Sequence, residues 1–225
     1  AVVGIDRGIA VTVATSDGRE FRCPTPSQAE RARRARLQRQ LARQGKGSNR
    51  RQRTRLAIAK LTTRHADRRK DWTEKTSTDL VRDHDVVALE DLRVRNMMRS
   101  AAGTVEQPGT NVAQKRGLNR SISEHAWSML ARRITEKATA SGVAVILVPP
   151  TGTSQTCHEC GHRDGGNRKT QAEFRCVACG HEANADLNAA KNIRAAGLAV
   201  FARGGADVGR ACEPRTPRKE PAHAA

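Results

Sequence analysis

The sequence predicts a mixed-sheet α/β fold that carries a four-cysteine zinc ribbon. Three observations lead there. The chain opens on three short strand-like runs in hairpin order. Further apolar strands then alternate with helical segments. Near the C-terminus Cys157, Cys160, Cys176 and Cys179 repeat as C-x2-C-x15-C-x2-C.

Ala1 to Asp6 is a short apolar strand that ends on a carboxylate. Gly8 to Ala14 alternates Ile9, Val11 and Val13 with smaller residues and reads as a second strand. Ser16-Asp17-Gly18-Arg19 is a hairpin turn signal, and Glu20 to Cys23 is the third strand, stopped by Pro24 and Pro26. Ser27 followed by Glu30 is a capping box that starts a helix running to about Gln44. Gly45-Lys46-Gly47-Ser48 breaks it, and a longer helix follows from Asn49 to His84. The pair reads as an antiparallel, Arg-studded hairpin over 27–84.

Val86 to Leu89 is a buried strand that delivers Glu90. Residues 91–120 are polar and glycine-containing and read as a mobile loop. Ser121 to Ser141 is an amphipathic helix with Ser121 as N-cap, Glu124 at the matching position, and Gly142 as its end. Val143 to Val148 is the most continuous apolar run, which suggests a central strand. The ribbon fills 151–182. A last helix runs from Ala185 to Ala196 and stops at Gly197. The division is then a core over 1–150, the ribbon, a last core helix within 183–197 and a disordered tail at 203–225, rich in Gly, Pro, Arg and Ala.

Composition narrows the function. The net charge is +18, and residues 31–70 hold sixteen Lys or Arg against one acid, Asp67. A stripe this dense releases counterions from a nucleic-acid backbone, although a solvated Arg-rich helix face has the same composition. Candidate contacts are Arg33, Arg34, Arg36, Arg39, Arg50, Arg51 and Arg53. Aromatics are only 2% and Tyr is absent, so base stacking is a poor main binding mode. No apolar run is long enough for a membrane span, and no signal-peptide pattern is present. Paired C-x-x-C motifs beside incidental Cys23 and Cys212 suit a reducing cytoplasm. The start on Ala1-Val2-Val3, without Met, reads as a piece of a longer protein.

Two constellations carry chemistry. Each C-x-x-C-G knuckle lets two thiolates converge on one tetrahedral ion, so the four cysteines should hold structural Zn2+. His158, His162 and His181 lie beside the knuckles, but four cysteines already close the shell. The second constellation is carboxylate. Asp6 and Glu90 end two strands, and Asp186 starts the last helix. If the strands are neighbours, all three acids meet. Gathered carboxylates bind hard divalent cations, and a pair of such ions can hydrolyse a phosphodiester.

G-I-D-R-G at 4–8, L-E-D-L at 89–92, T-S-Q-T-C-x-x-C-G from 153 and D-L-N-A-A-K-N-I from 186 resemble the TnpB, or OrfB, proteins of bacterial insertion sequences. These proteins are similar to type V CRISPR effectors. The likeness runs over residues 1–197 and covers the C-terminal half of that family. It implies an RNase H-like (RuvC) nuclease core with an inserted zinc ribbon. It also implies Asp6, Glu90 and Asp186 as catalytic Mg2+ ligands, DNA as substrate and a guide RNA from the parent element. Ser154 and Gln155 match the T-S-Q box and are expected to be positioning residues near the substrate strand. The family often has an acid where this chain has Asn184. The resemblance further implies a DNA endonuclease working at the bacterial nucleoid. A nucleic-acid-binding protein that no longer cuts is the alternative, since the family's N-terminal half is absent here.

Overall fold

The computed structural model describes residues 1–204. Cys212 and the tail from residue 205 onward lie outside the described residues. Five strands form one mixed sheet in the order β3-β2-β1-β4-β5, with β1 (Val2–Asp6), β2 (Val13–Thr15), β3 (Glu20–Phe21), β4 (Val86–Glu90) and β5 (Ala144–Val148). β1, β4 and β5 run parallel, whereas β2 is antiparallel to both neighbours. The expected pairing of the Asp6 and Glu90 strands is present, with Ile5 opposite Leu89.

Strand parity divides the sheet between two layers. Val3, Ile5, Val87, Leu89 and Val145 face one side, where they pack with Leu80 and Val81 of α2 (Asn49–Arg82) and with Leu130, Ile134 and Ala138 of α5 (Trp127–Ser141). Val86, Ala88, Ile146 and Val148 face the other side and meet Ile193 of α6 (Ala185–Ala202). The 34-residue α2 is about 50 Å long at 1.5 Å per residue. Only its C-terminal half, from Thr73 to Val81, packs deeply against the sheet; Thr54 is its one buried residue before that. The other half pairs with α1 (Gln28–Ala42), which has no buried residue. The two make a polar arm. The Ser27–Glu30 capping box is present in both directions.

Several expectations change. The second and third strands are shorter than 8–14 and 20–23. The chain bends between Gly8 and Thr12, and the Cys23 amide donates to the Thr12 hydroxyl (2.9 Å) instead of to a ladder partner. Residues 91–120 contain α3 (Val94–Met97) and most of α4 (Val112–Glu124). Ser121 is therefore inside a helix and caps nothing. The break comes at His125, whose ring Nδ1 takes up the Ser121 carbonyl (2.7 Å), and at Ala126 with φ 56°. β5 is an edge strand. Its apolar run reflects cover from α5 and α6 on its two faces, and Leu147 remains partly exposed.

Gly197 does not stop α6, which continues to Ala202. A Cβ at Gly197 would stand 2.5 Å from the Ala88 Cβ, so this glycine marks close packing of α6 on β4. Gly4 makes the same allowance on β1: a Cβ there would meet Ala190 O at 2.2 Å and Arg194 N at 2.3 Å. Both are backbone atoms of α6 and cannot rotate away. Gly4→Ala should therefore destabilise the domain by at least the upper end of the ~1–3 kcal/mol typical of overpacking. Denaturant unfolding checks this, and an unchanged midpoint would show that α6 can lift from β1 at no cost.

Candidate metal and carboxylate centre

The ribbon is built on a repeated backbone pattern. Cys157 N donates to His162 O and Gly161 N to Cys157 O; Cys176 N donates to His181 O and Gly180 N to Cys176 O. Gly161 and Gly180 both adopt φ 75°, the left-handed conformation that closes each knuckle. The Cys157 and Cys179 sulfurs lie 3.8 Å apart, and those of Cys160 and Cys176 lie 3.6 Å apart. Thiolates ~2.3 Å from one tetrahedral ion stand about 3.8 Å from each other, so the cluster fits zinc binding. Backbone amides, Cys179 first and then Ala178, hold the Cys176 thiol down to about 6 against the opposing effect of burial. Inside the ribbon, β6 (Glu173–Arg175) pairs with β7 (Glu182–Asn184), which runs straight into α6.

That junction positions Asp186. Asn184 is the N-cap, and its side-chain oxygen accepts from Asp186 N (2.9 Å) and Leu187 N (3.1 Å). Asn184 thus serves to start the helix. Asp186 follows in the first turn. Asp6 shares its strand face with Val2 and Gly4, and Glu90 shares its face with Val86 and Ala88. Both therefore point to the α6 side, one on each of two adjacent parallel strand ends.

The site is partly buried, and its acids are held close to one another's charge. Glu90 is 7% exposed. Burial raises its pKa, opposed by the Thr153 hydroxyl and by Arg7. Burial also raises that of Asp186, opposed by Arg168. Asp6 is pushed up to about 7, by burial first and then by the charges of Glu90 and Asp186, against Arg168. Arg168 reaches from the ribbon to within 3.6 Å of Asp186 Oδ1. Arg7 is buried, donates to the Glu90 backbone carbonyl and leaves its Nε without a partner among the described residues. Among the described residues, two sets of ligand atoms lie within 4.8 Å of one another: the four cysteines, and His158, Glu159 and His181. The three carboxylates stand wider than that. All three offer oxygen, the donor type that hard divalent cations prefer.

Sequence reasoning missed Arg7, Arg168 and Thr153. Arg7 sits within the G-I-D-R-G run, but nothing local shows that it turns toward Glu90. Ser154 and Gln155 make no side-chain hydrogen bond among the described residues; their neighbour Thr153 does, donating to Glu90 Oε1 (2.6 Å). Of the arm arginines, Arg51 is engaged internally, donating to Leu41 O (2.5 Å) and Gln44 O (3.1 Å) at the end of α1. Arg33, Arg34, Arg36, Arg39, Arg50 and Arg53 have no ion pair among the described residues. Arg36, Arg39 and Arg50 line one cleft between the two arm helices with Arg43. Among the described residues, no helix is long and apolar enough to cross a membrane.

Residues 1–101 match the family model OrfB_IS605, "Probable transposase", and residues 127–193 match the TNB domain of Cas12f1-like proteins. The chain is 45% identical over 204 residues to "Putative RNA-guided DNA endonuclease InsQ" of Escherichia coli (strain K12), covering 91% of this chain and 51% of that one. It is 36% identical over 205 residues to "Putative RNA-guided DNA endonuclease" of Streptomyces pristinaespiralis, covering 91% and 47%. The chain thus spans about half the length of these relatives. A solved Cas12f1–sgRNA–target DNA complex shares the fold, with TM-score 0.50 and 21% identity over 85% of this chain and 49% of that one.

The Asp6 shift gives a pH test. Its ordinary pKa is 3.8 and its folded value about 7. Between those values the folded state holds more of this proton than the unfolded state, so stability falls as pH rises through the window. Zinc-loaded Asp6→Asn in buffer free of other divalent ions should melt above the parent at pH 8. The gap should be several degrees, at about 2–4 °C for each kcal/mol relieved, should be narrower at pH 5 and should close only below the ordinary value of 3.8. Equal melting at both pH values would show that Asp6 carries no electrostatic strain.

Proposed function

Because the chain belongs to the OrfB and TnpB-like family, we propose that it is the metal-dependent nuclease half of an RNA-guided DNA endonuclease. One observation carries this reading. Strand parity turns Asp6 and Glu90 toward α6, whose first turn carries Asp186, so three acids from distant parts of the chain lie on one partly buried side of the sheet. We read the sheet as RNase H-like, of the RuvC kind; the parallel β1, β4 and β5 beside an antiparallel β2 support this.

In this proposal Asp6, Glu90 and Asp186 hold Mg2+, which supplies activation of a water and stabilisation of the leaving oxygen of a phosphodiester. Arg7 offsets charge behind Glu90, and Arg168 does so at Asp186. The four cysteines hold Zn2+ with no open position, so that ion contributes folding energy rather than chemistry. The arm of α1 and α2 binds phosphates through Arg33, Arg34, Arg36, Arg39, Arg50 and Arg53, while base pairing to a guide RNA from the parent element selects the target DNA. Its place of work is then the bacterial nucleoid.

Cleavage of single-stranded DNA in Mg2+ and in Mn2+, beside Glu90→Gln, tests the reading. Cutting should fall by about 100-fold or more in the variant, since even outer-shell partners of metal ligands are worth 10–100-fold. Equal cutting by both proteins would remove Glu90 from the chemistry. The arm has its own test. Replacing Arg33, Arg34, Arg36 and Arg39 together should weaken DNA binding and flatten the slope of log K against log salt by about 0.7–0.9 for each phosphate that is no longer neutralised. An unchanged slope would make the stripe a solvated face.

A further inference from the structure

Thr153 lies in the turn that leads into the ribbon, 63 residues from Glu90 in sequence. Its hydroxyl has one proton and two acceptors within reach: Glu90 Oε1 at 2.6 Å and Pro150 O at 3.3 Å. The shorter contact, to the charged acceptor, wins. Glu90 also has its backbone carbonyl held by Arg7. Main chain and side chain of this one acid are therefore gripped from different elements.

The turn that presents Thr153 is itself clamped. Asn192 donates to Thr153 O (2.8 Å) and to Thr156 O (2.6 Å). Asn188, one turn earlier on α6 and fully buried, donates to Thr156 O (2.8 Å) and accepts from the His158 amide (3.1 Å). Gly152 adopts φ +88°, and a Cβ there would press on the Arg163 guanidinium at 2.6 Å. The two asparagines of N-A-A-K-N-I thus fasten the ribbon stem to the helix that carries Asp186.

We propose that Thr153 is a positioning residue that fixes the Glu90 carboxylate for divalent-cation binding, which makes the ribbon stem part of the carboxylate site. With one Glu90 oxygen committed to the hydroxyl, the carboxylate loses rotational freedom before any ion arrives. Thr153→Val keeps the side-chain shape and removes the donor. Thr153→Ser keeps the donor.

The proposal rests on the carboxylate reading above, so the experiment includes Glu90→Gln. Mn2+ is titrated by electron paramagnetic resonance into zinc-loaded parent, Thr153→Val, Thr153→Ser and Glu90→Gln proteins, with zinc content and melting measured on each. Thr153→Val should bind Mn2+ about tenfold more weakly, the lower end of the effect of removing a partner of a metal ligand. Thr153→Ser should bind as the parent does, and zinc content and melting should not move. Parent-like Mn2+ binding in Thr153→Val, with Glu90→Gln impaired, overturns the role of Thr153 and leaves the carboxylate site standing. Absence of Mn2+ binding in the parent overturns both. A drop in zinc content or in melting temperature in Thr153→Val also overturns it, because the hydroxyl would then serve folding.

Discussion

α6 lies so close to β1 and β4 that two positions at the contact have no room for a Cβ: Gly4 of β1 against the helix backbone and Gly197 of α6 against Ala88. The rest of the site depends on this contact. It closes the second layer over the sheet, buries Ile193 against Val86, Ala88, Ile146 and Val148, and sets the first turn of α6 over the ends of two parallel strands. A larger residue at either glycine would lift the helix, and Asp186 would move away from Asp6 and Glu90 with it. Packing and chemistry are therefore one constraint, written in two glycines far apart in sequence.

The cost of that arrangement is electrostatic. Three carboxylates share a desolvated face, and Asp6 answers by holding its proton to about 7. Two arginines relieve part of the repulsion, Arg7 from the strand end and Arg168 from the ribbon. Such frustration in a partly buried, oxygen-rich face is what a hard cation removes. The ribbon enters the site twice, through Arg168 at Asp186 and through Thr153 at Glu90. It is joined to α6 both by the chain, at Asn184, and by the side chains of Asn188 and Asn192.

Local features were legible in the sequence. The cysteine spacing, the Ser27–Glu30 cap, the turn at Ser16–Arg19 and the acids at strand and helix ends all depend on residues a few positions apart, and the structure brings each of them out. Contacts set by packing were not. The apolar run at 144–148 shows that β5 is covered on both faces but not that it lies at the edge. Gly197 has the residue type of a helix stop, and only the proximity of Ala88 shows why it sits within the helix. Polar α4 has one buried residue, Ile122, so its pattern was too faint to separate from loop. The link from Thr153 to Glu90 crosses 63 residues and leaves no periodic trace.

The most direct test of the central claim is to locate divalent ions. A crystal of the zinc-loaded protein soaked in Mn2+, with anomalous scattering recorded near the manganese edge, reports where such ions bind. The account predicts one or two peaks bounded by oxygens of Asp6, Glu90 and Asp186, separate from the zinc peak among the four cysteines. An empty carboxylate face at Mn2+ concentrations that fill other sites on the protein, such as His158, Glu159 and His181, would contradict it.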